Sequence, residues 1–476
     1  MRRAPLPDQI VRIPARSTCR NGSRAIPLKE AGEGWQGRCR WGVGFLGSAL
    51  VIPDGLPREA HEPASVEVLR MQFATIIARN YRAYAEVLGS SLLAHHSGAR
   101  LVVLVIDGNE SDRDMFAHLG LEVALLDDLM IECSELHRML LFYDVMEMAT
   151  AVKPKLLHWL LDRGNTIVCY LDPDIVVYDT LDDIVSTAES DAIVLVPHAL
   201  KPFPRDGLLP TEYSIMRGGV FNLGFIAVGQ GARPFLTWWH ERLATDAIDA
   251  TEIGLFADQR WVDFVPTLFV HSVCKNPGMN VAYWNVHERG VARINGRLVT
   301  SNGVSIRFFH FSGFSPKDST RLSRHGFDRP RVILAAEPHL AELCEAYAAA
   351  LYAAGYEACS REPYRFDVLP NGVRLRQDIR RMYRSAVVGA RDRTAPRDPL
   401  ADGGAALRKW LFEPVAGHER APVRRVELQF WQDRPELHGN FPDPLGIDAQ
   451  RFRVWLDREP WVQVRLSELG APRITD

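Results

Sequence analysis

Between residues 66 and 356, short apolar runs rich in β-branched residues alternate with stretches of helical period, and this alternation is what most limits the fold. Strand candidates are Met71 to Ala78, Leu101 to Ile106, Val168 to Val177, Ala192 to Val196, Val220 to Val228 and Ile306 to Phe311. Helical patterns fall between them at Asn80 to Leu93, Ser111 to His118, Leu141 to Asp162, Pro234 to Ala244 and Phe256 to Phe264, with Pro338 to Tyr356 closing the series. The order predicts an α/β, Rossmann-like sheet, wound with mostly parallel strands and covered by helices on both faces. Ligands of such sheets bind outside the carboxyl ends of the strands. Thr75 to Tyr81, Asp107 and Asp172 to Asp174 all fall at or just past such ends.

The run Val168-Cys169-Tyr170-Leu171-Asp172-Pro173-Asp174-Ile175-Val176-Val177 carries the strongest chemical signal. Residues two apart on a strand point the same way, so Asp172 and Asp174 are expected to converge. Two close carboxylates repel, and burying them without compensation costs several kcal/mol. An oxygen-ligated Mg²⁺ or Mn²⁺ that also holds phosphate oxygens would relieve the repulsion. A solvated strand-end turn broken by Pro173 is the plain alternative for a lone Asp-x-Asp.

Composition narrows the field. With 476 residues, 47% of them apolar, the chain can bury more than one core. A formal charge of -3 gives no electrostatic case for nucleic acid. The seven cysteines are widely spaced with no Cys-x-x-Cys, as expected of reduced thiols in a cytoplasmic protein. No apolar run reaches the ~20 residues of a membrane span. The longest candidate, Trp41 to Pro53, is short and glycine-rich, and a peripheral membrane role stays open.

Other segments add chemistry. In Gly218-Gly219-Val220-Phe221-Asn222-Leu223-Gly224, glycines surround one amide suited to sugar hydroxyls, or mark a bulge with a structural Asn. Asp258-Gln259 offers a carboxylate and an amide at a helix start. His310, between Phe309 and Phe311, is either a third metal ligand or a satisfied structural histidine. Lys153 and Lys317 are candidate phosphate-neutralising cations, or ordinary exposed lysines.

Taken together, these segments resemble the GT-A-type nucleotide-sugar glycosyltransferases, especially family 8 and its bacterial relatives. The matching pieces are Thr75-Ile76-Ile77-Ala78-Arg79-Asn80-Tyr81, Lys153-Pro154, Tyr170-Leu171-Asp172-Pro173-Asp174, Phe221-Asn222-Leu223-Gly224, Asp258-Gln259 and His310-Phe311-Ser312-Gly313, in the family's order over roughly residues 66–320. The resemblance implies a GT-A sheet and a metal-dependent, retaining transfer of sugar from a nucleotide-diphosphate donor, by family habit a UDP-sugar. Asp172, Asp174 and His310 would hold Mn²⁺ or Mg²⁺. Thr75, Ile77, Tyr81, Asp107 and Lys153, with the two aspartates, would bind the donor. Asn222, Asp258 and Gln259 would face the reacting sugar. A glycan or lipid-linked acceptor, cytoplasmic placement at the inner face of a membrane, and bacterial polysaccharide biosynthesis follow by the same implication. The family's Lys-Pro-Trp after the histidine is here Ser315-Pro316-Lys317, which puts a diphosphate role for Lys317 in doubt.

The flanks read differently. Residues 1–65 are expected to be an irregular extension, 66–356 the catalytic domain and 357–476 a helical C-terminal region. In the last, Asp398-Pro399-Leu400 precedes Trp410-Leu411 much as Asp443-Pro444-Leu445 precedes Trp455-Leu456, suggesting two small helical units for packing or docking a partner. Two rival readings remain. Asp172-x-Asp174 also resembles the haloacid-dehalogenase phosphotransferase motif, in which the first Asp is a nucleophile. A catalytically inactive, glycosyltransferase-like scaffold is the other.

Overall fold

A computed structural model describes residues 71–470, apart from 327, 390–391 and 416–421. The expected N-terminal extension, the Trp41 to Pro53 run, Cys19 and Cys39 lie outside the described residues.

The main sheet contains β1 (Met71–Ile77), β2 (Arg100–Val105), β3 (Glu122–Leu125), β4 (Ile167–Leu171), β6 (Ile193–Pro197), β7 (Phe221–Gly229) and the short strand Ser272–Val273; β5 (Ile175–Val177) belongs elsewhere. Its order is Ser272–Val273, β6, β7, β4, β1, β2, β3. Every pairing is parallel except the two made by β7, which runs against both β4 and β6. The expected mixed α/β, mostly parallel architecture is therefore present. Because β7 is reversed, its first residues lie at the same edge as the last residues of β1, β2 and β4.

Alternation along the strands builds two cores. Phe73 and Ile77 join Leu88 and Leu92 of α1 (Arg82–His95) on one face. Ala74 and Ile76 join the other face, covered by α2 (Cys133–Phe142), α3 (Val145–Ala151), α4 (Lys153–Asp162) and the helix Arg233–Asp246. That second core continues without a break into the helices Gln377–Val388, Ala405–Phe412 and Ala449–Arg458. Trp410 and Trp455 sit on the last two, so each Trp-Leu of the internal echo lies on a helix. A third cluster joins Ala83 and Tyr84 to helix Pro338–Ala353.

A smaller sheet, in the order Val281–Ala282, Phe308–His310, β5, sits beside the first. The chain passes from one sheet to the other at Asp172-Pro173-Asp174. These residues form a turn between β4 and β5, so it is the turn, not strand alternation, that brings the two carboxylates together.

Three helical expectations are corrected. Leu141 to Asp162 is not one helix but the end of α2 followed by α3 and α4, broken where Asp144 caps α3 with Glu147 in a reciprocal capping box. Ser111 to His118 forms short 3₁₀ turns, because Asn109 and Asp112 bond local backbone instead of continuing a helix. Phe256 to Phe264 begins extended, turns through Ala257 at φ 45° and becomes helical only at Gln259. Among the described residues, no helix is long and apolar enough to cross a membrane.

Candidate functional site

The site lies at the edge where β1, β2 and β4 end and β7 begins. The Asp172 N–H continues the ladder by donating to Gly224 O at 2.8 Å, and Phe311 N–H donates to Asp174 O at 2.8 Å. These bonds hold both ends of the turn. His310, opposite Ile175 in the small sheet, brings Nε2 to 3.0 Å from Asp174 Oδ1 and 3.8 Å from Asp172 Oδ2. One ligand atom from each of the three residues lies within 4.8 Å of the other two. The imidazole is buried, whereas the carboxylates are 30% and 21% exposed, so the cluster opens to solvent on its acidic side. Burial opposes the imidazolium, but Asp174 and Asp172 outweigh it and carry the His310 pKa upward.

This donor set fits a hard or borderline divalent ion. An octahedral ion with ligands about 2.1 Å away sets neighbouring donors about 3 Å apart, near the His310–Asp174 separation. Two carboxylate oxygens with one imidazole nitrogen suit Mn²⁺ or Mg²⁺. Gly224 is needed for the packing: a Cβ there would overlap the His310 ring. The glycine thus makes room for an imidazole, not for a ligand.

Beside the triad is a buried ion pair. Lys153, at the first turn of α4, places Nζ 2.7 Å from Asp258 Oδ2 and 3.9 Å from Asp172 Oδ1. It also donates to Leu223 O at 2.9 Å and lies 4.2 Å above the Tyr170 ring. Tyr170 in turn donates its hydroxyl to Asp172 Oδ1 at 2.7 Å. Burial pushes the Asp258 carboxyl up, and the Lys153 ammonium works against it. The charge of Lys153 is thus directed at Asp258 within the protein.

Asn222 and Gln259 lie behind His310 and are nearly buried. The Asn222 amide donates to Gln259 Oε1 at 3.2 Å, and Gln259 Nε2 donates to Gly218 O at 2.7 Å. Thr75 and Ile77, the last residue of β1, are buried, and Thr75 Oγ1 has no hydrogen-bond partner. Asp107, just past β2, accepts the Arg79 N–H at 2.8 Å; burial raises its carboxyl. Tyr81 stacks on Tyr84 with ring centroids 4.5 Å apart. Tyr81 is about a third exposed as a whole, and its hydroxyl pKa is raised by local desolvation and then by the nearby Asp174 carboxylate. Lys317 lies 5.9 Å from the Tyr356 ring centroid. The structure therefore gathers Asp172, Asp174, His310, Lys153, Asp258, Asn222 and Gln259, with Tyr81 alongside, while Thr75 and Asp107 belong to the adjoining ends of β1 and β2.

Sequence reasoning missed Tyr170, His198, Asn280 and Trp284. Trp284 presents an edge to His310, with ring centroids 5.2 Å apart at 87°. It also lines a cleft of about 680 Å³ together with His198, Tyr213, Arg217, Gln259 and Tyr283. The aromatic doublet Tyr283-Trp284 could have pointed to the last of these.

No family model matches the chain. It is 27% identical over 200 residues to the uncharacterized protein YfnF of Bacillus subtilis (strain 168), covering 40% of this chain and 62% of YfnF, under two thirds of that protein's length. It is 26% identical over 253 residues to the uncharacterized protein YfnD of the same organism, covering 51% of this chain and 78% of YfnD. Among solved structures, the galactosyltransferase LgtC in complex with donor and acceptor sugar analogs aligns with a TM-score of 0.35 and 17% identity, over 59% of this chain and 95% of LgtC. The glycosyltransferase GlyE of Streptococcus pneumoniae TIGR4 aligns with a TM-score of 0.33 and 14% identity, over 62% of this chain and 66% of GlyE.

Proposed function

We propose that the chain is a metal-dependent glycosyltransferase of GT-A type, moving a sugar from a nucleotide-diphosphate donor, by preference a UDP-sugar, to an acceptor hydroxyl. The observation that carries this reading is the convergence of Asp172, Asp174 and His310 at the carboxyl edge of a mostly parallel sheet, next to a buried Lys153–Asp258 pair. A bound Mn²⁺ or Mg²⁺ would neutralise charge on the departing nucleoside diphosphate. Asp172, Asp174 and His310 hold that ion. Thr75, Ile77, Tyr81 and Asp107 bind the nucleoside at the ends of β1 and β2. Lys153 holds Asp258 in place and tempers the negative field of Asp172. Asp258, with Asn222 and Gln259, orients the sugar, and the cleft bounded by Tyr283 and Trp284 receives a glycan or lipid-linked acceptor. Action at the cytoplasmic face of a bacterial membrane in polysaccharide assembly belongs to the same proposal.

Mass spectrometry of donor hydrolysis across a panel of nucleotide sugars, with and without Mn²⁺, tests it. The expected result is metal-dependent release of a nucleoside diphosphate, lowered about 10²–10³-fold in Asp172→Asn and Asp174→Asn. Inorganic phosphate release through a phosphorylated enzyme would favour the phosphotransferase instead. Calorimetry showing no UDP binding with Mn²⁺ would favour an inactive scaffold.

A further inference from the structure

We infer that Asn280 is the positioning residue that sets the tautomer of His310, and that backbone groups fix the polarity of the amide chain behind it. The inference rests on the proposed metal reading of Asp172, Asp174 and His310. Asn280 is fully buried and adopts φ 54°, a left-handed conformation that Asn tolerates better than most residues. It immediately precedes Val281–Ala282 of the small sheet and faces His310 Nδ1 through its own Oδ1 at 3.2 Å.

The chain of bonds can be oriented in only one sense. Val220 O can only accept, so His198 donates to it through Nδ1–H at 3.2 Å and keeps Nε2 bare. Burial lowers the His198 pKa to about 4, so this ring is neutral at neutral pH. Asn222 Nδ2 gives one hydrogen to His198 Nε2 at 3.3 Å and the other to Gln259 Oε1 at 3.2 Å. Gln259 Oε1 is held as an acceptor by the Leu223 N–H at 3.0 Å. Asn222 Oδ1 is likewise held by the Gly224 N–H at 3.1 Å and accepts from Asn280 Nδ2 at 2.8 Å.

Flipping the Asn280 amide would set its oxygen against the Asn222 oxygen. The Asn280 oxygen must therefore face His310, and His310 Nδ1 must donate. In the neutral ring Nε2 then carries the lone pair, facing the space between Asp172 and Asp174, as a metal ligand requires. Hydrogen bonds of this kind to the far nitrogen of a ligating histidine set its orientation and basicity, and their loss costs about 10- to 100-fold in metal affinity. Asparagine supplies both functions at once, a donor to Asn222 and an acceptor for His310.

The test is Mn²⁺ binding by the full chain, read from free Mn²⁺ in electron paramagnetic resonance. Asn280→Gly keeps the backbone conformation and removes both functions; it is expected to weaken Mn²⁺ binding about 10- to 100-fold. Asn280→Asp keeps the acceptor for His310 but sets an oxygen against Asn222 Oδ1, so it is expected to lose some Mn²⁺ affinity yet clearly less than Asn280→Gly. Parent-like binding by Asn280→Gly, or an equal loss in Asn280→Asp, would overturn the inference. A measurement on the unaltered chain guards against a variant that does not fold. Nitrogen-15 spectra of histidine-labelled, Mg²⁺-loaded protein should show His310 protonated at Nδ1, and protonation at Nε2 would refute the inference. If the parent chain binds Mn²⁺ but the variants do not discriminate, only the Asn280 role falls. If the parent chain binds none, the metal reading falls and takes this inference with it.

Discussion

The edge carrying Asp172 and the helical layer at the C-terminus use polar groups in opposite ways. At the edge, Asp172 and Asp174 stay partly exposed, with His310 and Lys153 against their buried side and solvent on the other. On helix Gln377–Val388, three successive arginine contacts are spent on the body of the protein. Arg380 is buried and donates to Leu140 O at 2.8 Å, Tyr143 O at 2.5 Å and Phe366 O at 2.9 Å. Arg381 pairs with Glu147, and Arg384 with Asp246. The first region keeps charge available for a ligand; the second uses charge to fasten a helix to the ends of α2 and of the helix Arg233–Asp246. Stability and activity should therefore come apart under mutation.

The sharpest challenge to that division is Lys153, which sits at the edge yet is buried and paired like the arginines of the helical layer. Lys153→Met leaves Asp258 buried without a partner and is expected to cost about 3–5 kcal/mol, together with all transfer activity. Urea denaturation and donor turnover measure the two losses. The double change Lys153→Met with Asp258→Leu should recover most of the stability and none of the turnover. Next, Asp174→Asn should lower metal-stimulated turnover by about 10²–10³-fold while the thermal midpoint hardly moves. A large fall in the midpoint would show that the carboxylate is structural. Arg380→Ala should do the reverse. Leaving its carbonyl partners unpaired is expected to cost about 2–4 kcal/mol with Mn²⁺ affinity unchanged, as calorimetry would report.

Gly224→Ala is expected to have a smaller effect, about 1–3 kcal/mol from overpacking, accompanied by weaker Mn²⁺ binding because the His310 ring is displaced. The smallest effect belongs to Asp392 in the C-terminal layer. Partial burial raises its carboxyl, but hydrogen bonds from Thr394, Arg425 and Trp410 bring the pKa down to about 2. Its stabilisation is therefore fully present above the unfolded value near 4 and lost as pH falls through about 2. Solvent screening limits it to about 1 kcal/mol, and Asp392→Asn should flatten the acid limb of the stability profile by that amount.

The same contrast separates what the sequence discloses from what it hides. The sheet was legible because β2, β4 and β6 are nearly continuous apolar runs, and local patterning reports burial directly. Asp172, Asp174 and His310 were legible because their residue types carry metal chemistry wherever they stand. The break between α2 and α3 was written in Asp144 and Glu147, but an apolar period running through it masked the cap. Asn280 was not legible. Its partners Asn222 and His310 are 58 and 30 residues away, and nothing local distinguishes it from a turn asparagine. The arginines of Gln377–Val388 were equally opaque, since a charged helix face reads as solvated until the carbonyls opposite it are known.

The small sheet turns placement of the imidazole into a matter of counting. Phe308, Phe309 and His310 stand opposite Val177, Val176 and Ile175. A slip of one residue would put a phenyl ring where the imidazole stands and turn the neighbouring side chains over. Insertions in the loops between Tyr178 and Ser305 leave that count intact. A single deletion inside 308–310 changes it, so chain length is free to drift around the site but not within those three pairs.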